Sequence, residues 1–488
     1  MSLSAGAFST TQQRDALPWP LGSAKTLLCL AALVAIQVWA AVLVASDPLV
    51  FLAGLLFLVA LVLSFRWTVT GLVLVILSQL YVLKGTAEIS VGELAYAALF
   101  VVTLAGWAVR QAGTEAGKRL VRSPAGASLI VFMGLCVLSI VLVVVYGTSP
   151  LWWLRDLVRF SYLLLFFPIA GAARTRRDAI VILASLLAVI LYHAGLTITW
   201  YAQAIHSTTA LWQLSNQRVA IHEIFAMATL VASYAVFLRS QSRWAMLAAL
   251  FMAFIGLTAL GVSFTRGYWV AAVFACTIVT FMSKGPVHRV ATFSVLILSG
   301  VVAGGVAVFS TKFFGIVAFM AERASTVSSP LQALSVQERI AETRSVLEML
   351  RTSPILGRGL GVEVSYMSPV KHFVISRPFL HNAYLFIWLK LGLVGLVAFL
   401  VFYFRGLRMT VLAARRASTP VIRGLFIAGA AILVSAIPLS FTSPQFYDKS
   451  SALVLALILG LAHASLSGRF DGGGALAGSG DAGVGNGE

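Results

Sequence analysis

The chain has 488 residues, of which 60% are hydrophobic and only 11% are charged. A soluble domain is about 45–50% apolar and about 25% charged, because its surface must be solvated. The composition therefore excludes an ordinary soluble globular protein. Lys and Arg outnumber Asp and Glu by 35 to 17, which gives a net charge of +18 and fits nucleic-acid binding only if the charges cluster suitably. The three cysteines lie in apolar stretches without metal-ligand spacing, so we expect neither a disulfide framework nor a zinc site.

Long apolar runs dominate the chain. A hydrocarbon core of about 30 Å needs about 20 apolar residues in a helix. Runs of this kind, bounded by charges, turns, Pro or Gly, occur at 27–45, 48–65, 67–83, 93–109, 127–147, 157–173, 178–200, 220–238, 244–262, 268–283, 290–310, 382–404, 424–441 and 451–467. The pattern predicts an all-α integral membrane protein, a polytopic bundle of about 12–14 transmembrane helices.

The same runs suggest the domain organisation. We expect a cytoplasmic N-terminal tail at 1–26, a transmembrane bundle at 27–310, a long loop at 311–380 and further spans at 381–467. The first apolar run exceeds the 7–15 residues of a signal peptide, so it is interpreted as a retained helix. The tail at 468–488 is rich in Gly and Ala and has no apolar pattern, which predicts disorder.

The positive charges indicate how the bundle is oriented. If the N-terminus is cytoplasmic, the alternating connections place most Lys and Arg on one face. The short connections of the opposite face hold only Lys84, Arg155, Arg159, Arg218, Arg266 and Lys449. The positive-inside rule then predicts that both termini are cytoplasmic and that the long loop is periplasmic. The net charge is thus mostly an orientation signal, and no nucleic-acid partner is expected.

The long loop contains one amphipathic pattern. The SVQE sequence at 335–338 is typical of a capping box, and Pro354 ends the pattern. Four apolar residues fall on one face of this helix and four charged residues fall on the other: Val336, Ile340, Leu347 and Leu350 against Glu338, Glu342, Arg344 and Glu348. We expect the helix to lie on the membrane surface or over the mouth of the bundle.

Two arginines on the far face need an explanation. Arg218 lies in QRVAIHE at 217–223 and Arg266 in SFTRGYW at 263–269, and only Glu223 is an acidic neighbour. An unpaired Arg at mid-membrane costs about 2.5–3.5 kcal/mol. One explanation is that each arginine extends to the lipid phosphates at the membrane interface. Two of them on one face, both in breaks between helices, favour a shared anion site, since the guanidinium fork binds two phosphate oxygens.

A histidine closes the long loop. His381 begins the sequence HNAYLFIWLKLGLVG at 381–395. An imidazole, with an ordinary pKa near 6.5, can accept a proton at neutral pH, although a helix cap or a solvated residue would also fit this position. The nearby PILGRGLG at 354–361 lacks the Lys-Ser/Thr of a phosphate-binding loop and is interpreted as a turn. No Asp-x-Asp occurs, which argues against a glycosyltransferase that uses a metal-bound nucleotide sugar. The sequence also has no His-Glu-x-x-His zinc motif.

Three pieces together resemble the O-antigen ligase and polymerase superfamily of bacterial membrane glycosyltransferases. They are SFTRGYW at 263–269, the Arg339 helix that leads to PILGRG at 354–359, and HNAYL at 381–385 followed by LGLVG at 391–395. The family usually has Ser before the Arg of the first motif, where this chain has Thr265. The resemblance implies a GT-C-like fold and an inverting enzyme that needs no metal or other cofactor.

The resemblance also implies roles for residues of this chain. His381 would be the catalytic base for the acceptor hydroxyl. Arg218, Arg266 and Arg339 would bind the donor pyrophosphate, and Asn382, Tyr268 and Glu223 would support these groups. The implied donor is a glycan on undecaprenyl pyrophosphate in the bacterial inner membrane, with the site facing the periplasm.

Alternatives remain open at this point. Within the family the acceptor is either lipid A core, in a ligase, or a growing polysaccharide, in a polymerase of O-antigen or exopolysaccharide. A transporter or flippase of a lipid-linked glycan is the competing class. A transporter should have related halves and broken helices at mid-membrane, whereas here we see no internal repeat and the polar clusters gather on one face.

Overall fold

The computed structural model describes residues 48–82, 90–111, 113–207, 223–263, 265–284, 286–309, 317–318, 321 and 334–468. Contacts divide the chain into two units, residues 1–60 and 61–488. The description begins at Pro48 with helix α1, Pro48–Arg66, whose last six residues belong to the second unit. All contacts discussed below lie in the second unit.

The second unit is a succession of helices. In chain order they are α2 Thr68–Val82, α3 Val91–Gln111, α4 Glu115–Arg122, α5 Pro124–Leu138, α6 Ile140–Val145, α7 Pro150–Ser161, α8 Phe166–Ala172, α9 Arg176–Ser207, α10 Glu223–Arg239, α11 Arg243–Val262, α12 Arg266–Ser283, α13 Val287–Phe309, α14 Leu334–Arg351, α15 Ala383–Arg416, α16 Pro420–Leu439 and α17 Lys449–Leu466. A short antiparallel hairpin, β1 Val364–Met367 and β2 Val374–Arg377, lies between α14 and α15.

The helices confirm the predicted all-α polytopic membrane fold. Within the described residues, eight helices are long and apolar enough to cross a membrane, and shorter apolar helical stretches occur at Leu52–Arg66, Thr68–Ser78 and Val287–Gly300. Many of these helices expose large apolar side chains, such as Leu138, Val144, Val273 and Leu298. Such surfaces suit hydrocarbon and would be unfavourable in water. The run predicted at 27–45 lies outside the described residues.

One predicted span is interrupted. The run at 157–173 is divided between α7 and α8 by a 3-10 turn, Tyr162–Leu165. From Phe160 to Ala173 this run is buried in the protein core, apart from the partly exposed Ser161 and Leu164. This segment is therefore packed among helices and presents little surface to lipid.

The glycine-rich turn at 354–361 packs into a break in α15. Gly392 has φ 70° and ψ −178° inside this helix, so the regular ladder of hydrogen bonds stops there. The amides of Arg358 and Gly359 donate to the carbonyls of Leu389 and Lys390 at 2.8 and 2.9 Å, and the amide of Leu393 donates to a carbonyl of the turn at 3.0 Å. The two glycine motifs thus satisfy each other's backbone groups, as a low-dielectric environment requires.

Gly392→Ala should destabilise the fold. A Cβ at this position would lie 1.9 Å from the Ile355 carbonyl oxygen, and the positive φ disfavours any side chain. We expect the free energy of unfolding, measured by denaturation in detergent, to fall by about 3 kcal/mol or more. Gly134→Ala in α5 is the matched control, because no atom lies within 4 Å of its Cβ position and Ala favours helix. Equal stability of the two variants would contradict the packing described.

Helix α14 confirms the predicted helix, but the faces predicted for it are wrong. Glu342 is 3% exposed, whereas Ile340 and Leu347 are 36% and 44% exposed. The reason is that α14 packs against β1 and α15, where polar groups of the hairpin and of His381 satisfy the carboxylates. The charged face is therefore partly turned inward.

Candidate active site

His381 and Glu342 form a hydrogen-bonded pair where α14 meets the start of α15. The Nδ1 atom of His381 lies 3.2 Å from Oε2 and 3.3 Å from Oε1 of Glu342, and the His381 amide donates to Oε2 at 3.1 Å. The Glu342 side chain is 4% exposed and the imidazole is 31% exposed. The carboxylate is thus enclosed, while part of the ring remains accessible.

This contact fixes the orientation of the imidazole. An ionised carboxylate can only accept hydrogen bonds, so Nδ1 carries the proton and donates it to Glu342. In the neutral ring the lone pair is then on Nε2, the atom that points away from the glutamate. A buried carboxylate also stabilises the imidazolium that forms when Nε2 takes a proton. The pair has the arrangement that a general base requires.

Backbone contacts hold the segment that carries His381. Asn382 is the N-cap of α15 and its Oδ1 accepts from the Leu385 amide at 3.0 Å. The Ala383 amide donates to the Ser440 carbonyl at 2.8 Å. The Leu380 amide donates to the Tyr447 hydroxyl at 3.0 Å, and this hydroxyl donates to the Leu380 carbonyl. Burial raises the pKa of Tyr447, so the hydroxyl stays protonated and keeps donating.

A buried ion pair holds the same segment from the other side. The Lys390 ammonium donates to the Asp156 carboxylate and, at 2.9 Å, to the Pro378 carbonyl. Both side chains are nearly inaccessible. Asp156 also accepts from the Gly361 amide at 2.8 Å and pairs with Arg159 at 3.1 Å. One carboxylate therefore joins α7, the glycine-rich turn and α15, and breaking such a buried pair is costly.

Arg266 begins α12 within a polar network. Thr265 is the residue before the helix, and its hydroxyl donates to Oε1 of Glu223 at 3.0 Å. The buried Tyr268 hydroxyl lies 2.6 Å from Nε2 of Gln445, which donates to it. Of the two residues predicted to support Arg266, Glu223 thus contacts the residue before it and Tyr268 lies two residues after it in α12.

The connection at 440–448 lies between the Arg266 and His381 segments. Gln445 contacts Tyr268, while Ser440 and Tyr447 contact residues 380 and 383 next to His381. A Cβ at Gly267 would lie 3.1 Å from the Leu439 side chain, which shows how closely α12 approaches the end of α16. The structure therefore brings the two predicted motifs to one end of the bundle, through a connection that sequence motifs did not indicate.

The other two arginines predicted to bind the donor are Arg339 and Arg218. Arg339 is partly buried on α14, three residues before Glu342. Arg218 lies outside the described residues. In the part of the chain that the structure describes, no group of three or more His, Cys, Asp or Glu side chains is positioned to hold a metal ion.

Glu338 holds the hairpin on α14. Its carboxylate accepts from the Tyr366 hydroxyl at 3.0 Å and from the Ser368 hydroxyl. Burial, followed by the hydrogen bond to Glu338, raises the pKa of Tyr366 to about 12. The phenol therefore stays protonated, and α14, β1 and the segment leading from β2 to His381 remain connected near neutral pH.

Sequence reasoning missed two parts of this site. Glu342 was placed on the polar face of its helix without a role, and the connection at 440–448 was treated as a link between spans. A signal for the second was present in polar Gln445 and Asp448 among strongly apolar neighbours. For Glu342 the signal was weaker, because Glu338, Glu342 and Glu348 are equivalent in the sequence pattern.

The fold is that of a multi-pass membrane protein with an acid–base pair at the end of its helices. Residues 251–400 match the family model described as O-antigen ligase, a segment that contains Arg266, Arg339, Glu342 and His381. The match confirms the resemblance to the O-antigen ligase and polymerase superfamily and indicates a glycan-processing enzyme of that type. No curated protein matches the chain.

Proposed function

We propose that the protein transfers a glycan from undecaprenyl pyrophosphate to an acceptor hydroxyl at the periplasmic face of the bacterial inner membrane. The observation that carries the proposal is the His381–Glu342 pair, whose imidazole is 31% exposed, at the same end of the bundle as the polar segment that carries Arg266. Both termini are cytoplasmic in this proposal, in agreement with the distribution of Lys and Arg along the chain.

The transfer is an inverting displacement. Nε2 of His381 takes the proton of the acceptor hydroxyl while the oxygen attacks the anomeric carbon of the donor. The bond from that carbon to the pyrophosphate oxygen breaks, and its electron pair leaves with undecaprenyl pyrophosphate. Glu342 stabilises the imidazolium, and water then removes its proton. Inversion follows because nucleophile and leaving group occupy opposite faces of the carbon.

Guanidinium groups stabilise the leaving group in this proposal. Negative charge gathers on the pyrophosphate as the bond breaks, and a fixed cation stabilises it more strongly at a low-dielectric boundary than in water. Arg266 and Arg218 supply that charge, and Arg339 is a third candidate. Support comes from the position of Arg266 at the same end of the bundle as His381.

Arg266→Ala should weaken use of the donor more than Arg266→Lys does. The planar fork binds two phosphate oxygens, whereas an ammonium keeps only the charge. We expect kcat/KM for the lipid-linked donor to fall about 10²-fold for Ala and less for Lys. Arg408→Ala, on the part of α15 distant from His381, is the control. Equal rates for the Ala and Lys variants would indicate that Arg266 only contacts lipid.

The acceptor separates a ligase from a polymerase. Purified protein is incubated with one lipid-linked oligosaccharide and either lipid A core or the oligosaccharide's own longer, lipid-linked form. A ligase extends only the first acceptor, and a polymerase extends only the second. Failure to extend either acceptor, with intact donor and folded protein, would count against the proposed transfer.

A further inference from the structure

Arg377 and Phe379 form a cation–aromatic pair beside His381. The guanidinium carbon of Arg377, the last residue of β2, lies 5.4 Å from the centre of the Phe379 ring and 5.9 Å from that of Tyr366. The Phe379 ring in turn lies 5.9 Å from the imidazole of His381, at an angle of 70°. Phe379 is 39% exposed, so its ring offers an open surface between a cation and the candidate base.

The Arg377 guanidinium forms no ion pair with a carboxylate of the described residues. In the described ranges no carboxylate lies within 4.0 Å of it. Glu338 accepts from the Tyr366 and Ser368 hydroxyls, and Glu342 accepts from His381. Each glutamate thus has its own donors, while the contacts of Arg377 are with the faces of two rings. A guanidinium stacked in this way keeps its edge available for a planar anion.

We propose that Arg377 and Phe379 are the acceptor subsite and that they select an acidic sugar, one with a carboxylate such as a uronic acid. This inference rests on the proposed function, because it assigns the acceptor side of the same reaction. The sugar ring packs on Phe379 through its C–H face, its carboxylate binds the Arg377 fork, and a hydroxyl on the opposite side of the ring faces Nε2 of His381.

The spacings around Phe379 are of the size of one sugar. The Arg377 guanidinium carbon and the His381 ring centre lie 5.4 Å and 5.9 Å from the centre of the Phe379 ring, so in this proposal a single sugar on Phe379 contacts both. Stacking alone would bind neutral and acidic sugars alike. The charged, bidentate contact is what discriminates, because a neutral sugar leaves the guanidinium without a counter-charge.

The test measures sugar binding without donor. Full-length protein in detergent is titrated with digalacturonic acid and with the neutral galactose disaccharide of the same linkage, and binding is followed by saturation-transfer NMR. We expect the acidic disaccharide to bind about tenfold to 100-fold more tightly, the range of one charge-assisted contact. Arg377→Gln should abolish this difference, and Phe379→Ala should weaken the binding of both sugars.

The hairpin supplies a matched control. The Lys371 ammonium lies 5.8 Å from the centre of the Phe373 ring at the other end of the hairpin, so Lys371→Gln removes a similar cation at a distance from His381. We expect this variant to bind as the wild type does. Equal binding of both sugars by the wild type, or unchanged discrimination by folded Arg377→Gln, overturns the inference. Glycan transfer is also measured on a neutral acceptor. Transfer in that assay would mean that only the inferred subsite is wrong, and absence of transfer would mean that the proposed function is wrong.

Discussion

His381→Ala should abolish glycan transfer while the protein inserts and folds as before. Deprotonation of the acceptor by a positioned base contributes about 10²–10⁴-fold to the rate, and the structure places no other imidazole in this position within the described residues. The measurement is the initial rate of product formation from a lipid-linked donor, normalised to folded protein. Retention of the elution profile in detergent shows that the fold is intact.

A second histidine provides the control. His288 is exposed near the start of α13, and His288→Ala should transfer glycan at the wild-type rate. If His381→Ala also did so, the assignment of His381 as the base would be wrong. Loss of activity in both variants would indicate a general defect of the membrane fold and would equally contradict a specific role for His381.

Glu342→Gln should reduce kcat by roughly 10²–10⁴-fold with a smaller effect on KM. The amide has the same shape but can donate as well as accept, so it no longer fixes the proton on Nδ1 and permits the tautomer in which Nε2 cannot act as a base. It also lacks the negative charge that stabilises the imidazolium. The expected pattern separates a positioning role from loss of substrate binding.

A second glutamate of the same helix provides the control. Glu348→Gln should transfer glycan at the wild-type rate, because Glu348 is exposed on α14. A wild-type kcat in Glu342→Gln would mean that Glu342 only holds α14 in place.

The general fold could be predicted because membrane burial requires long apolar helices. A run such as 244–262 leaves the backbone no other way to satisfy its polar groups in lipid, and the structure has a helix there, Arg243–Val262. The break at Gly392 could not be predicted. It depends on the turn at 354–361 approaching from the long loop, and no local pattern reports such an approach.

The candidate site was predictable in part. His381 stood out because it lies between a polar loop and an apolar span, and Arg266 because the orientation rule does not explain it. The partner of His381 could not be chosen, because periodicity places several glutamates of α14 on one polar face. Only the packing of α14 against β1 and α15 distinguishes Glu342, and that packing is a tertiary effect.

The most direct test of the proposed transfer compares the amounts of its two products. Purified protein with a pyrophosphate-linked donor and an acceptor, in the presence of a chelator, is assayed by mass spectrometry for acceptor-linked glycan and released undecaprenyl pyrophosphate. The two products should form one to one with the wild type, and neither should form with His381→Ala. Donor that crosses a vesicle membrane intact, without any glycan joined to the acceptor, would contradict the proposed transfer.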